Sequence, residues 1–149
     1  MKTLCIISCG NRKIWDKNPA AGPTKARFVY IGPFATKCRQ YAERFYPSSW
    51  CILSAKYGIL FPDDIVPGPY NVSFNDRKTA PITNERLSAH ALKKGLKVYD
   101  EIVVLGGKNY VTMVSTVFPE KNIIAPLRKC KGFGYMMGFL KNSINKGII

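Results

Sequence analysis

The stretch Leu4-Cys5-Ile6-Ile7-Ser8-Cys9-Gly10 decides the fold of this chain. Its first residues form a short apolar run that Gly10 ends, which is typical of a buried strand. Similar runs follow at Trp50–Ser54, at Glu101–Leu105 and at residues 122–125. Because these runs are apolar without strict alternation, they predict strands covered on both faces, as in a parallel sheet.

Segments with apolar residues at helical spacing separate these strands. Helices are predicted over residues 34–45, 84–98, 109–118 and 131–145, while residues 11–32 and 61–83 are predicted to be loops. Alternating strands and helices predict one three-layer α/β domain, with a mostly parallel, Rossmann-like central sheet of about four to five strands. The length of 149 residues suits a single domain, and no repeat or linker divides it.

The charge balance points to an anionic partner. Lysine and arginine total 23 against 9 acidic residues, which gives a formal net charge of +14. A polyanion relieves the self-repulsion of such a chain, so the partner is expected to be nucleic acid (tRNA or DNA) or a nucleotide. The alternative is that the charge serves solubility. No apolar run approaches the roughly 20 residues of a membrane span, so no membrane partner is expected.

The cysteines predict a reducing compartment rather than a metal site. They are odd in number and irregularly spaced, and the chain has a single histidine to join them. Thiols in this pattern favour a cytoplasmic protein without a bound metal. The pattern specifies neither a cofactor nor an oligomeric state. The five cysteines are Cys5, Cys9, Cys38, Cys51 and Cys130.

Small and polar residues follow three of the predicted strands. These segments are Ser8-Cys9-Gly10, Ser54-Ala55-Lys56 and Gly106-Gly107-Lys108. In open α/β sheets, ligands bind outside the carboxyl ends of the strands. The sequence therefore predicts a site where these segments meet.

The segment after the first strand has several chemical possibilities. Ser8 and Gly10 allow backbone N–H groups to approach an anion, which Arg12 and Lys13 then hold. Lys13 is alternatively a nucleophile if its amine is desolvated, and Cys9 a thiolate beside these cations. A plain strand exit with solvated cations fits this stretch equally well.

The second and third strand ends suggest charge stabilisation and stacking. Ser54 and Lys56 share a face if the strand continues, so Lys56 is a candidate to neutralise a phosphate. Tyr57 is a candidate platform for a nucleobase. Gly106 and Gly107 form a weak anion-binding signal. The structural alternative is an ordinary strand end with a lysine stem lying along apolar surface and a half-buried tyrosine.

Three further features fall outside the strand ends. Asp63 and Asp64 are candidates for acid and base or for Mg²⁺ binding, although a turn or helix cap is the preferred interpretation. Tyr70 either faces the same cleft or packs within its loop. His90 is interpreted as structural because it lies alone within a predicted helix.

Several of these residues carry a resemblance to known proteins. Ser8-Cys9-Gly10-x-x-Lys13, Tyr30-Ile31-Gly32-Pro33-Phe34, the run from Ile52 to Leu60, Pro69-Tyr70 and Gly106-Gly107-x-x-Tyr110 resemble an uncharacterised family related to YaaA-type proteins. The spacing of Cys9 and Lys13 is also faintly similar to the core of archaeosine synthase, an enzyme that modifies a tRNA base. Together these resemblances imply a pocket for a nucleobase or nucleotide, to which Tyr30 contributes.

The predicted function is an enzyme directed at a nucleobase or nucleotide, acting on a base in nucleic acid by modification or base release. The alternatives are a basic nucleic-acid-binding protein without catalysis, linked to stress, and a sensor or hydrolase of free nucleotides. Predicted catalytic residues are Cys9, Lys13, Lys56, Asp63 and Asp64. Predicted substrate-binding residues are Ser8, Gly10, Arg12, Tyr30, Ser54, Tyr57, Tyr70, Gly106 and Gly107.

Overall fold

A computed structural model describes residues 2–149 of the chain. Within this range the strands are β1 (Thr3–Ser8), β2 (Thr24–Lys25), β3 (Trp50–Ser54), β4 (Gly58–Leu60), β5 (Ile65–Val66), β6 (Glu101–Leu105) and β7 (Asn122–Ile124). The α-helices are α1 (Ile14–Lys17), α2 (Ala26–Val29), α3 (Pro33–Phe45), α4 (Asn84–Lys93), α5 (Lys108–Val117) and α6 (Phe133–Lys146). Short 3₁₀ turns span Arg77–Thr79 and Leu96–Val98.

The central sheet has five strands in the order β4-β3-β1-β6-β7. Strand β1 pairs in parallel with β3 and β6, and β6 pairs in parallel with β7. Strand β4 pairs antiparallel with β3 at one edge, and β2 and β5 form a separate antiparallel pair. The mostly parallel α/β sheet predicted from the sequence is therefore confirmed.

The two faces of β1 explain why its sequence is apolar throughout. Cys5 and Ile7 belong to a core cluster that also contains residues of α3 and α6, while Leu4 and Ile6 belong to a second cluster with α4 and α5. Helix α3 packs against α6, and α4 packs against α5. Because each face of the central strand is covered, both sets of alternating side chains must be apolar.

Three sequence predictions about local structure are wrong. Strand β4 was not predicted, because three residues are too short to show a period and the strand forms only by folding back on β3. The predicted loop over residues 11–32 contains α1, β2 and α2, and the loop over 61–83 contains β5. Helices of four residues have little intrinsic stability; buried Trp15 and Val29 hold α1 and α2 in place.

Helix α4 ends earlier than predicted. The sequence suggested a helix to residue 98, but α4 ends at Lys93, and Gly95 adopts the left-handed conformation with φ of 74°. A glycine in this conformation is a common helix terminator, because it bears no Cβ that would clash. The apolar pattern continues through Leu96 in a 3₁₀ turn.

His90 on α4 has the structural role expected from the sequence. Its Nδ1 accepts a hydrogen bond from the backbone N–H of Ile59, at 3.1 Å, which attaches α4 to the edge strand β4. Burial lowers the pKa of His90 below its usual value of 6.5, and the cations Lys94, Lys93 and Arg86 lower it further. The imidazole therefore stays neutral and able to accept.

We expect the stability of the protein to fall as the pH is lowered from about 7 to about 5. The unfolded chain binds a proton at its histidine near pH 6.5, while folded His90 has a lower pKa and resists protonation. The stabilising contribution is thus complete above the unfolded-state pKa and is lost as the pH falls toward the folded value. Urea unfolding across this range measures the slope.

The single histidine of the chain makes this pH dependence attributable. In His90→Asn, the amide oxygen retains an acceptor for the Ile59 N–H but does not titrate. This variant should show a flat stability profile between about pH 5 and 7. An unchanged slope in His90→Asn would contradict the assignment.

No helix within residues 2–149 is long and apolar enough to cross a membrane.

Candidate functional site

A cleft opens where the direction of the sheet connections reverses. Strands β3 and β6 lie on opposite sides of β1, so the crevice between β1 and β6 is the topological switch point. A cavity of about 470 Å³ lies at the carboxyl ends of these two strands. Residues 8–12, which end and follow β1, and residues 107–110, which follow β6, line it. We refer to this cavity as the switch-point cleft.

Aromatic rings form much of the wall of the switch-point cleft. Phe34 from the first turn of α3 packs edge-on against Phe133, with ring centroids 5.2 Å apart. Phe74, from the loop before α4, packs edge-on against Tyr110 at 5.7 Å. Such rings offer flat apolar surfaces on which a planar ligand can stack.

Two helices begin at the cleft and make its electrostatic character positive. Gly32 and Gly107 are the N-cap residues of α3 and α5, and neither helix has a side-chain cap hydrogen bond. The first residue of α3, Pro33, has no N–H, so the anion is attracted by the N–H groups of the residues that follow it and by those at the start of α5. Arg12 and Lys108 also line the cleft, and neither forms a salt bridge within residues 2–149.

Cys9 and Tyr110 contact each other within the cleft. The Cys9 Sγ lies 3.4 Å from the Tyr110 Oη, and this hydroxyl also donates to the Cys9 carbonyl at 3.4 Å. Burial raises the pKa of Tyr110, so it remains a protonated donor. Gly106 permits this approach: a Cβ at that position would lie 3.0 Å from the Tyr110 Cβ.

A polar layer of three buried residues and the half-buried Tyr70 lies beside Cys9, and we call Lys13, Tyr30, Ser54 and Tyr70 the tyrosine layer. The Tyr70 hydroxyl hydrogen-bonds to the hydroxyls of Tyr30 and Ser54, the latter at 3.0 Å. The Lys13 Nζ sits 4.4 Å from the centre of the Tyr70 ring. Burial raises the pKa of Tyr70 to about 12, so its hydroxyl stays protonated.

Lys13 is unusual among the cations of this chain because it is only 6% exposed. Its amine donates to the backbone carbonyl of Asn11 at 3.1 Å. Burial lowers the pKa of Lys13, an effect that Cys9 and Asp16 partly offset. Lys13 does not line the switch-point cleft, so its hydrogen bond to Asn11 supports the loop after β1 from outside the cleft.

Lys56 and Tyr57 lie on the outer side of the tyrosine layer. The Ser54 Oγ accepts hydrogen bonds from the N–H groups of Lys56, at 3.3 Å, and Tyr57, at 3.1 Å, which closes the turn after β3. The Tyr57 ring packs edge-on against Tyr70 at 5.3 Å, and the exposed Lys56 amine lies 5.2 Å from the Tyr57 ring centre. These residues flank the layer and do not line the cleft.

Asp63 and Asp64 do not join the other candidate residues. They follow β4, which runs antiparallel to β3 and therefore ends near the amino-terminal edge of the sheet, opposite the cleft. Asp63 pairs with Arg27 at 3.1 Å, and Asp64 pairs with Lys94 at 3.4 Å. The Asp64 Oδ2 also accepts from the Phe61 N–H at 2.8 Å, as expected for a residue that shapes a turn.

The structure thus divides the predicted site residues into three groups. The cleft contains Ser8, Cys9, Gly10, Arg12 and Gly107, with Gly106 beneath Tyr110. The tyrosine layer and its outer side contain Lys13, Tyr30, Ser54, Lys56, Tyr57 and Tyr70. Asp63 and Asp64 lie at the opposite edge.

Sequence reasoning left several wall residues out of its candidate set. Lys108 and Tyr110 occupy the first turn of the helix that follows β6, and Phe34 the first turn of α3. Their positions next to a strand end or a helix start could have identified them as site residues from the sequence. Phe74 and Phe133 reach the cleft from distant segments, and no local pattern distinguishes them from core aromatics.

Within residues 2–149, no group of three or more His, Cys, Asp or Glu side chains could hold a metal ion. All five cysteines are unpaired thiols.

The fold and the cleft define an α/β domain with a cavity at its topological switch point, the place where ligands commonly bind in open α/β sheets. Residues 4–142 match the model of a family described as a family of unknown function, DUF6884, and the chain belongs to this family. A relative, the uncharacterized protein YfjM of Bacillus subtilis (strain 168), is 42% identical over 147 residues, covering 98% of this chain and 97% of the relative.

These comparisons correct the resemblance drawn from the sequence. The matching family model is DUF6884, so the assignment to a YaaA-related family, with its fainter likeness to the archaeosine synthase core, is wrong. The motifs that suggested the resemblance are short, and several of them are strand ends rich in small residues. Such segments recur in many α/β domains because that edge of the sheet must admit a ligand.

Proposed function

We propose that this protein is an enzyme that acts on a nucleobase, within a free nucleotide or within nucleic acid, by base modification or base release. The observation that carries the proposal is the switch-point cleft, which combines two helix N-termini and unpaired cations with aromatic walls. Its volume of about 470 Å³ falls in the range of small-molecule sites.

The charges of the cleft favour a phosphate group at a specific place. The residues that begin α3 and α5 line the cleft together with Arg12 and Lys108, and all of these starting residues except Pro33 carry a backbone N–H. A phosphate between the helix starts would satisfy backbone donors that have no side-chain cap. The guanidinium of Arg12 is suited to paired hydrogen bonds with phosphate oxygens, while the Lys108 amine adds a point charge.

The aromatic walls favour a planar base beside that phosphate. Phe74 and the edge-on pair of Phe34 and Phe133 border the same cleft. Stacking of one base on an aromatic ring contributes about 1–3 kcal/mol and tolerates different bases. The proposal therefore concerns the nucleobase class rather than one particular base.

Cys9 and Tyr110 are the groups proposed to act on the base. Cys9 lies half-buried at the carboxyl end of β1, where reacting groups of such sheets are commonly located. Its thiol is the proposed nucleophile. In base release, a bond from Sγ to the sugar C1′ would form as the glycosidic C–N bond breaks, and the departing base would take that bond's electron pair and the thiol proton; water would then cleave the S–C bond and restore the thiol. In base modification, the thiol would add across a ring double bond, with sulfur on one atom and its proton on the other. The protonated Tyr110 hydroxyl, 3.4 Å from the sulfur, donates a hydrogen bond to the charge that develops in the transition state.

The cysteines also support the proposed cytoplasmic location. A thiol nucleophile must remain reduced, and the cytoplasm keeps thiols in that state. All five cysteines of the chain are unpaired.

Titration of the purified protein tests the binding part of the proposal. We expect a nucleoside monophosphate to bind at least about tenfold more tightly than its nucleoside, because one charge-assisted contact exceeds the 1.4 kcal/mol that a factor of ten requires. Phe74→Ala should weaken monophosphate binding without changing the affinity for inorganic phosphate. Absence of saturable binding by monophosphate, nucleoside and phosphate alike would contradict the proposal.

Mass spectrometry of nucleosides tests the catalytic part. The protein is incubated with mixed tRNA or single-stranded DNA, which is then digested, and an altered or missing base is sought. Cys9→Ser should abolish the change, whereas Cys130→Ser, which replaces another partly exposed thiol outside the cleft, should not. Equal turnover by the Cys9→Ser protein would remove the proposed nucleophile.

A second candidate is a nucleic-acid-binding protein without catalysis. The net charge of +14 favours it independently of the cleft. This second candidate predicts that nucleic-acid binding weakens steeply with salt and is unchanged by Cys9→Ser. It also predicts that no altered nucleoside is found. Release of phosphate from a free nucleotide, with the base left attached and unchanged, would instead indicate the nucleotide hydrolase considered from the sequence.

A further inference from the structure

The segment after β7 carries cations and exposed aromatic rings without acidic residues. From Lys121 to the end of the chain, every charged side chain is a lysine or arginine. Phe133 and Tyr135, in the first turn of α6, are 65% and 72% exposed. Exposed rings beside clustered cations are a feature of surfaces that bind single-stranded nucleic acid. We call Arg128, Lys129, Lys131 and Tyr135 the basic aromatic surface.

The cations of this surface have no acidic partner in the part of the chain that the structure describes. Arg128, Lys129 and Lys131 are exposed, and none forms a salt bridge within residues 2–149. They flank a helix whose N-cap, Gly132, provides no side-chain acceptor. Their charge is therefore available to an anionic partner with regularly spaced charges.

The basic aromatic surface is continuous with the switch-point cleft. Phe133 lies between them, since it lines the cleft and packs edge-on against Phe34. A concavity of about 580 Å³ is lined by both Lys108, at the cleft, and Arg128. A second concavity, of about 620 Å³, is lined by Lys129, Lys131 and Tyr135. A chain leaving the cleft would cross these cations in succession.

We propose that the basic aromatic surface binds the single-stranded nucleic acid that flanks the nucleotide held in the cleft. This inference rests on the proposed function and specifies its substrate as a polynucleotide. The cations match the backbone phosphates, and Tyr135 offers a flat face for an unpaired neighbouring base. In a duplex the base faces are already stacked, so an exposed ring favours a single strand.

Binding of a fluorescein-labelled single-stranded RNA of about 10 nucleotides tests this inference, since single-strand sites span roughly 4–16 nucleotides. Tyr135→Ala should weaken its binding about 5- to 150-fold, the value of one base stack, while Tyr135→Phe should retain most of the affinity. A duplex of the same length should bind with little dependence on Tyr135. Equal effects of Tyr135→Ala on both would overturn the assignment to single strands.

The charge contribution is measured by a salt series. Removing both lysines in Lys129→Ala/Lys131→Ala should reduce the slope of log K against log salt by about 1.4, since each phosphate contact to a single strand contributes about 0.7. Arg86→Ala/Lys93→Ala removes the same charge from exposed positions on α4, against the other face of the sheet, and should leave the slope nearly unchanged. An identical slope for the two double variants would overturn the inference.

Titration with a mononucleotide separates this inference from the proposed function. None of Lys129, Lys131 and Tyr135 lines the switch-point cleft, so their variants should bind a nucleoside monophosphate as the parent does. If these variants bind both the mononucleotide and the RNA as the parent does, the basic aromatic surface does not bind RNA, and the proposed role of the cleft is unaffected. Failure of mononucleotide binding, with RNA binding that depends on Tyr135, would refute the proposed function instead.

Discussion

Replacing Gly58 with alanine should lower the free energy of unfolding by about 2–5 kcal/mol, a large part of the 5–15 kcal/mol typical of a domain. Gly58 begins β4 with φ of 74°, a left-handed conformation that costs an alanine roughly 1–2 kcal/mol. An added Cβ would also lie 2.6 Å from the His90 Nδ1 and 2.9 Å from the Ile82 Cδ1. To relieve the first of these contacts, the His90 ring must move, which disrupts the hydrogen bond from the Ile59 N–H to the His90 Nδ1.

Gly95→Ala is the matched control for this substitution. Gly95 has the same φ of 74°, but a Cβ there would meet nothing within 4 Å. Its cost is therefore the conformational part alone, about 1–2 kcal/mol. Urea unfolding of both variants isolates the cost of the clash as the difference between them. Equal destabilisation would show that His90 and Ile82 move aside without penalty.

A double-mutant cycle identifies the clashing partner. His90→Ala removes the ring that the new Cβ would meet, so Gly58→Ala should cost less in that background. We expect a coupling energy between the two substitutions of about 1 kcal/mol or more, as is usual for residues in contact. Additive effects would place the strain at Ile82 or in the backbone alone.

Removing both cations of the switch-point cleft should reduce affinity for a nucleoside monophosphate by about 100-fold. Arg12 and Lys108 line the cleft without a carboxylate partner within residues 2–149. A hydrogen bond to a charged group contributes about 1.5–3 kcal/mol, and about 1.4 kcal/mol is a factor of ten in affinity. Arg12→Ala and Lys108→Ala should each cost about tenfold, measured by calorimetry.

The uncharged ligand provides the internal control for this measurement. Affinity for the corresponding nucleoside should change little, because it bears no phosphate. Lys93→Ala removes a lysine from α4, outside the cleft, and should leave monophosphate binding nearly unchanged at about 0.15 M salt. Monophosphate affinity that survives the double substitution would place the phosphate elsewhere and contradict the proposed arrangement.

The site itself was only partly predictable. Because parallel strands end at a common edge, Cys9, Arg12 and Gly107 were placed together from sequence alone, and the structure brings them to one cleft. Lys13 was expected beside them, but it turns into the tyrosine layer and contacts Tyr70, far away in the chain. Local sequence carries no information on which side of a loop a lysine will be buried.

The aspartates show how pairing direction decides the place of a residue. Asp63 and Asp64 follow β4, and the sequence did not reveal that β4 runs back along β3. This single antiparallel pairing carries both residues to the edge opposite the cleft. Phe74 and Phe133 show the reverse case, because distant segments bring them to the cleft.

The sequence by itself determined the class of fold. Apolar runs such as Leu4–Ile7 require two covering layers, and glycines after β1 and β6 mark the carboxyl ends of these strands, since both effects depend on neighbouring residues alone. Only the tertiary structure decided which side chains share the cleft, which are sealed in the tyrosine layer, and where the chain folds back. Those outcomes depend on contacts between residues far apart in sequence, whose free energies no local pattern records.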